Sequence, residues 1–258
     1  MLAAIVIAAL VPGVVTRADP AAIEILARLA PPSPAHLLGT DHIGRDLLAR
    51  LIYGARISLV VALTSVGAAS LIGVTLGLLA GYYGGWTESV VMRVVDVFLA
   101  FPAILLALAL VAVLGASAGS VIIALALVFW TQYARIVRAA TLAEREKAYV
   151  EAARAIGAGD GHILFRHILP NIISPVVILA TLGMGTAVVA ESTLSFLGLG
   201  VQPPAPSWGW TLSFGTRYLR DAPHIATFSG LAIMATVLGF NLLGDGIRDR
   251  LDPKFRPQ

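Results

Sequence analysis

Apolar residues in this chain gather into long, nearly uncharged runs. They do not show the two-residue alternation of a half-buried strand. Five runs stand out, at Ile57–Gly81, Val90–Leu114, Ser120–Val137, Ile172–Leu194 and Thr227–Leu243. Each is close to the about 20 residues that a helix needs to cross a bilayer core. A shorter run, Leu2–Val15, precedes them and is expected to be a sixth span shortened at its N-terminal side. Its other reading is a signal-peptide core, with Thr16-Arg17-Ala18 as a poor cleavage site, but no basic segment leads into it. After a polar, proline-containing stretch from Arg17 to Pro34, residues 36–56 place Ile43, Leu47, Leu48, Leu51 and Ile52 at helical spacing. That pattern predicts an amphipathic helix lying on the membrane surface. The pattern as a whole predicts an all-α, polytopic membrane protein of about six transmembrane helices. Residues 1–56 are expected to hold the short first span, an extracytoplasmic segment and the amphipathic helix, 57–250 the membrane domain with a large loop at 140–171, and 251–258 a cytoplasmic tail.

Composition strengthens the membrane reading. Of 258 residues, 58% are hydrophobic and 13% charged, and mean hydropathy is +0.86. Soluble domains run at roughly 45–50% apolar and about 25% charged. Cysteine is absent, which removes disulfides, thiolate metal sites and thiol nucleophiles. The five histidines lack ligand-like spacing, and no metal site is assigned. The basic residues adjoin spans and form no soluble face, which argues against nucleic acid. Their distribution sets orientation. Six spans place eleven Lys and Arg on the side of the 140–171 loop and seven on the other, which predicts both termini in the cytoplasm.

The connection from Ala140 to Asn171 is the most informative segment. Leu142–Ile156 is rich in Ala, Glu, Arg and Lys and is predicted to be helical. Gly157 is placed to end that helix in a left-handed cap, and Asp160 to cap a short second helix that ends or bends at Pro170. Ala148, Ala152 and Ala155 leave a shallow strip against which another protein can press. The other readings are a plain helical hairpin and a DNA-binding helix-turn-helix. A loop of this length tied to two spans enters a groove poorly.

Glu151-Ala152-Ala153, Gly157 and the later Leu169-Pro170 resemble the EAA loop of ABC importer permeases. His167 departs from that pattern, standing where an isoleucine is usual two places before Leu169, with Ile168 beside it. Further segments are similar to the C-type subunit of dipeptide/oligopeptide permeases: Leu38-Gly39-Thr40-Asp41, Gly44-Arg45-Asp46, Gly54 to Leu59, Glu191-Ser192, Leu194 to Gly198, Val201 to Pro204, Gly244 to Gly246 and Leu251 to Pro253. The resemblance implies a type I importer fold in a bacterial inner membrane, with Glu151, Ala152, Ala153, Gly157, Leu169 and Pro170 coupling to an ATPase. It also implies four kinds of company: a homologous B-type permease, two ABC ATPase subunits, an extracytoplasmic substrate-binding protein and membrane lipid. The substrates implied are dipeptides or oligopeptides, with nickel chelates, glutathione-like peptides and sugars carried by relatives. ATP and Mg would bind the partner subunits. The chain itself lacks a phosphate-binding Gly-Lys-Ser/Thr loop, since Lys147 follows Glu146 and Lys254 follows Pro253.

Residues within the runs carry the remaining expectations. Gly73, Gly77 and Gly81 form a small-residue stripe for close helix packing, with a neighbour in this chain or in a sister chain. Arg93 and Asp96 are spaced to form a structural ion pair, with gating as the other role. Pro102 is expected to kink its helix and has a second reading as a pathway residue. Glu191, with Ser192, lies near the outer end of its run. It can meet a substrate amine or fix an outer gate by hydrogen bonding, and the second role is favoured. Trp208, Trp210 and Tyr218 fit an outer interfacial aromatic belt, and the resemblance adds contact with the binding protein as their other reading. A secondary transporter driven by an ion gradient is the rival class. It calls for mid-bilayer carboxylates and inverted repeats, neither of which is evident. An intramembrane enzyme would need a catalytic constellation that is equally absent from the motifs.

Overall fold

A computed structural model describes residues 1–251; the expectations placed on Asp252 to Gln258 lie outside the described residues. The architecture is helical. Helices α1 (Leu2–Leu10) and α2 (Pro12–Val15) are followed by irregular chain. Then come α3 (Leu47–Tyr83), α4 (Gly85–Leu99), α5 (Ala103–Leu114), α6 (Ala118–Arg145), α7 (Ala148–Ala155), α8 (Asp160–His162), a π-helical stretch (Ile163–Ile168), α9 (Leu169–Phe196), α10 (Trp208–Arg217) and α11 (Pro223–Leu251).

Among the described residues, four helices are long and apolar enough to cross a membrane: Leu47–Tyr83, Ala118–Arg145, Asp160–Phe196 and Pro223–Leu251. Helices α4 and α5 make a fifth crossing if taken together, but an 88° bend separates them. The expected kink at Pro102 is thus a full break. Pro102 supplies no N–H to the helix and disfavours helical geometry at Phe101. The Leu2–Val15 run is interrupted at Val11-Pro12 and falls short of a span on its own.

The surface helix expected over residues 36–56 does not form as such. Residues 36–46 fold into turns closed by a Thr40–Asp46 bridge. Helix α3 begins at Leu47 and passes through Arg56 without interruption. Asp46 Oδ1 accepts from the Ala49 N–H at 2.8 Å and so caps its first turn. No proline or turn residue separates Arg56 from Ile57, so nothing stops the helix at the expected boundary. Leu47 and Leu51 are buried in protein and do not lie against lipid headgroups.

The chain divides into two compact units. One comprises Met1–Thr64, Ala107–Ala124 and Met184–Leu242; the other comprises Ser65–Leu106, Leu125–Gly183 and the chain from Leu243 onward. In the first, the turn at residues 38–46 is stitched through buried polar groups. Arg45 Nε lies 2.7 Å and Arg50 Nε 3.6 Å from Asp41 Oδ2. Thr40 Oγ1 accepts from the Ala30 N–H at 2.9 Å and donates to the Ala27 carbonyl. Trp208 belongs to this unit's core, only 2% exposed, with its indole N–H donating to the Leu51 carbonyl at 2.8 Å. It is therefore no part of an interfacial belt. Trp210 and Tyr218 are half-buried.

In the second unit, the glycine stripe of α3 faces α6 of the same chain. A methyl group placed on Gly73 would lie 2.5 Å from Tyr133 Cβ. On Gly77 it would lie 2.7 Å from the Ala134 carbonyl oxygen, and on Gly81 2.6 Å from Thr141 Cβ. Real Cβ atoms do not tolerate such distances, so only glycine lets these helices meet this closely. Replacing Gly77 with leucine is expected to force the helices apart, at a cost of at least about 1–3 kcal/mol. Membrane-extracted protein carrying Gly77→Leu should lose most of its monodisperse peak or melt several degrees lower by size-exclusion fluorescence. An unchanged melt would mean that this contact is dispensable.

Candidate functional site

The 140–171 loop builds a compact knob at the ends of α3 and α6. Helix α6 continues to Arg145, so the single helix expected over Leu142–Ile156 is divided. Lys147 is extended, with φ −78° and ψ 142°, and α7 restarts at Ala148. Glu144 holds this corner, accepting from Lys147 Nζ at 2.8 Å and from the Tyr149 hydroxyl. Desolvation, reinforced by the bond to Glu144, pushes the Tyr149 phenol up to about 12, so it stays a donor throughout the physiological range.

Gly157 ends α7 at φ +85°. The Ala158 N–H reaches the Ala153 carbonyl at 3.0 Å and the Gly157 N–H reaches the Arg154 carbonyl at 2.9 Å, which is the Schellman arrangement. Asp160 does not cap the next helix. Its Oδ1 accepts from the Tyr82 hydroxyl at 2.8 Å, while Gly159 occupies the N-cap position. Nor does Pro170 end the second helix. Residues 160–196 run on as one 37-residue helix, and the π-helical stretch at 163–168 is where its hydrogen-bond spacing changes just before the proline.

Three contacts pin the knob to the end of α3. Arg145 donates from one guanidinium nitrogen to the Gly81 and Tyr82 carbonyls at 2.9 and 3.2 Å. Tyr82 bonds Asp160, and Arg154 lies over the Tyr82 ring at 5.1 Å. Inside the knob, Val150, Ala153, Ile163, Leu164 and Ile168 are buried. Glu151, Ala152, Gly157 and Pro170 are exposed, as are Ala148 and Ala155, while Leu169 is half-buried. Ala153 therefore packs the knob, and Glu151, Gly157, Ala148 and Ala155 present its surface. Glu151 makes no ion pair among the described residues. Two large apolar side chains outside the motif stand on the same loop, Ile156 at 86% and Phe165 at 68% exposure. Ile156 stands as an isolated large apolar residue before Gly157, and Phe165 closes the short apolar run Ile163-Leu164-Phe165.

A second arrangement centres on Glu191, which is fully buried. Ser195 Oγ donates to Oε1 at 2.8 Å and Ser58 Oγ to Oε2 at 2.9 Å; Ser192 and Ser207 hydroxyls stand at 3.5 Å. These serines come from α3, α9 and the N-cap of α10, so one carboxyl ties three elements together. Gly54, one turn before Ser58, gives Trp208 room to approach. Glu191 and the buried Ser192 are enclosed by these hydroxyls, so the arrangement favours the fixing role over contact with a substrate amine. Pro102 lies on an exposed surface at the α4–α5 break.

The expected ion pair between Arg93 and Asp96 is not formed. Neither side chain is buried, and neither has an ion-pair partner among the described residues. Solvation costs less than locking two long side chains together. The pair that does form joins α4 to α6, with Arg138 Nε donating to Glu88 Oε1 at 2.8 Å. Fifty residues separate its members, which puts it beyond any local spacing rule.

Comparison with known proteins places these features. Residues 73–257 match the family described as binding-protein-dependent transport system inner membrane component. The chain is 48% identical over 229 residues to the dipeptide transport system permease protein DppC of Alkalihalophilus pseudofirmus, covering 89% of this chain and 75% of that protein. It is 49% identical over 225 residues to the glutathione transport system permease protein GsiD of Pectobacterium atrosepticum, covering 87% and 75%. Among solved structures, the fold is similar to a chain of the inward-facing MetNI methionine ABC transporter, with a TM-score of 0.62 at 22% identity, covering 78% of this chain and 96% of that one.

The Glu191 cluster makes a sharp prediction. Glu191→Leu strands the Ser58 and Ser195 hydroxyls, each at about 1–3 kcal/mol, and should sharply lower the yield of folded protein. Glu191→Gln keeps an acceptor and should melt within a few degrees of the parent. Equal melting of the Leu and Gln variants with the parent would show that the cluster holds nothing together.

Proposed function

The chain belongs to the family of binding-protein-dependent transport system inner membrane components, and on that premise we propose that it imports short peptides as one half of a pore worked by separate ATPases. The protein is a multi-pass inner-membrane permease subunit of an ABC importer. Its substrate, partners and orientation extend that statement. The observation that carries the reading is the knob: a rigid, anchored loop that presents Glu151, Ile156 and Phe165 to something outside this chain.

Two ABC ATPase subunits would bind ATP and Mg and close on each other. One of them would push or pull the knob, and the contacts of Tyr82, Arg145 and Arg154 would pass that displacement to α3 and α6. A homologous B-type permease would supply the other half of the pore, and an extracytoplasmic binding protein would deliver the substrate. The knob would then lie in the cytoplasm together with the end of α11, which the charge bias also supports. Dipeptides are supported by identity to DppC. Glutathione, itself a short peptide, is the second reading, supported by comparable identity to GsiD.

Gly157 tests the coupling role. Nothing among the described residues comes within 4 Å of a Cβ placed there, so Gly157→Leu costs the isolated chain only backbone strain, about 1–2 kcal/mol. Its side chain would project into the docking surface. Protein in the membrane should stay near the parental level while peptide uptake and ATPase co-purification fall together. Normal uptake with full ATPase retention would reduce the loop to a connector. A reporter fused after Arg154 should read as cytoplasmic, and one placed between Gln202 and Ser207 as extracytoplasmic. The opposite pattern would invert the orientation.

A further inference from the structure

At the loop-side end of α4 and α6 lies an open cavity of about 620 Å³ that plays no part in the knob. Glu88, Ser89, Arg93, Asp96, Arg135 and Arg138 line it. Arg138 is committed to Glu88. Arg93, Asp96 and Arg135 have no ion-pair partner among the described residues, although Arg93 and Asp96 stand three apart on one helix. The cavity therefore offers two free guanidiniums and one free carboxylate to whatever enters it. Its volume falls within the roughly 300–1,000 Å³ of small-molecule sites. Helix α4 is one limb of a helix pair bent by 88°, and discontinuous helices with unpaired ionisable groups commonly flank substrate paths.

We propose that this cavity is a vestibule on the cytoplasmic half of the path that binds the zwitterionic backbone of a short peptide, with Arg93 and Arg135 holding the carboxylate and Asp96 the ammonium. The inference rests on the peptide-import reading and on the orientation given above. A simple anion such as a lipid phosphate would use the arginines but leave Asp96 facing it unfavourably. A zwitterion satisfies all three groups at once.

The absence of cysteine from the chain makes Ser89→Cys its unique thiol. The full transporter carrying this change is placed in inside-out vesicles and exposed to a membrane-impermeant maleimide, and labelling of this chain is followed by mass. Labelling should proceed and should slow several-fold with millimolar dialanine, but not with N-acetyl-dialanine amide, which lacks both charges. Adding Arg93→Gln with Arg135→Gln, or Asp96→Asn alone, should remove the protection while the vesicles hold the same amount of chain. A thiol closed to the reagent, as contact with lipid or the sister permease would make it, overturns the proposal. So does equal protection by the two peptides, or protection by neither. Dialanine and glutathione uptake by the parent transporter are measured alongside. No uptake of either dialanine or glutathione refutes the import reading and the vestibule together, whereas dialanine uptake without protection refutes the vestibule alone.

Discussion

Glycines 73, 77 and 81 let α3 approach α6 until backbone meets side chain, and the geometry of the knob follows from that approach. Because the two helices run in contact to their ends, Arg145 at the last turn of α6 reaches the carbonyls of Gly81 and Tyr82. The end of α3 is thereby held where Tyr82 can bond Asp160 and support Arg154. Lipid gives helices little hydrophobic reason to associate, so close van der Waals contact and polar links have to supply it. Here the contact supplies proximity and the polar links convert it into a fixed loop. A knob hung on flexible chain would absorb a partner's movement; one braced at both helix ends transmits it.

The other polar cluster works by the opposite logic. Glu191 gathers serines from α3, α9 and the start of α10. The Trp208 indole N–H beside it secures α10 to α3. A carboxyl enclosed by hydroxyls is costly to form and costly to disrupt, which suits a junction that must keep its shape while other parts move. The α4–α5 break and the open charges of α4 supply what such a junction lacks, a place where side chains remain free to meet a passing solute.

Much of this is legible in the sequence, wherever a local rule decides the outcome. Gly157 has to be a left-handed cap because helix-forming residues precede it. The glycine stripe has to be a close contact because nothing larger fits, and Pro102 has to interrupt its helix. Three of the failures share one cause, which is that a distant partner outweighs local pattern. Leu47 and Leu51 show helical amphipathic spacing, but protein and not headgroups covers their apolar face. Asp160 has the right position for a cap and is taken by Tyr82, nearly eighty residues earlier. Trp208 looks like a belt residue until Gly54 and Leu51 receive it. Arg93 and Asp96 satisfy the spacing for a pair, yet spacing carries no information about whether the side chains gain by closing.

The central claim is that the exposed face of the knob meets an ATPase, and cross-linking tests it most directly. Ile156→Cys, which gives this chain a unique thiol, is placed in the co-expressed transporter and treated with a short bis-maleimide in membranes. The account predicts a covalent product between this chain and an ATPase subunit, with a yield that changes on adding ATP analogue, and none when the thiol is introduced by Pro203→Cys instead. A cross-link from the Ile156→Cys variant to the binding protein, or from the Pro203→Cys variant to the ATPase, would contradict it.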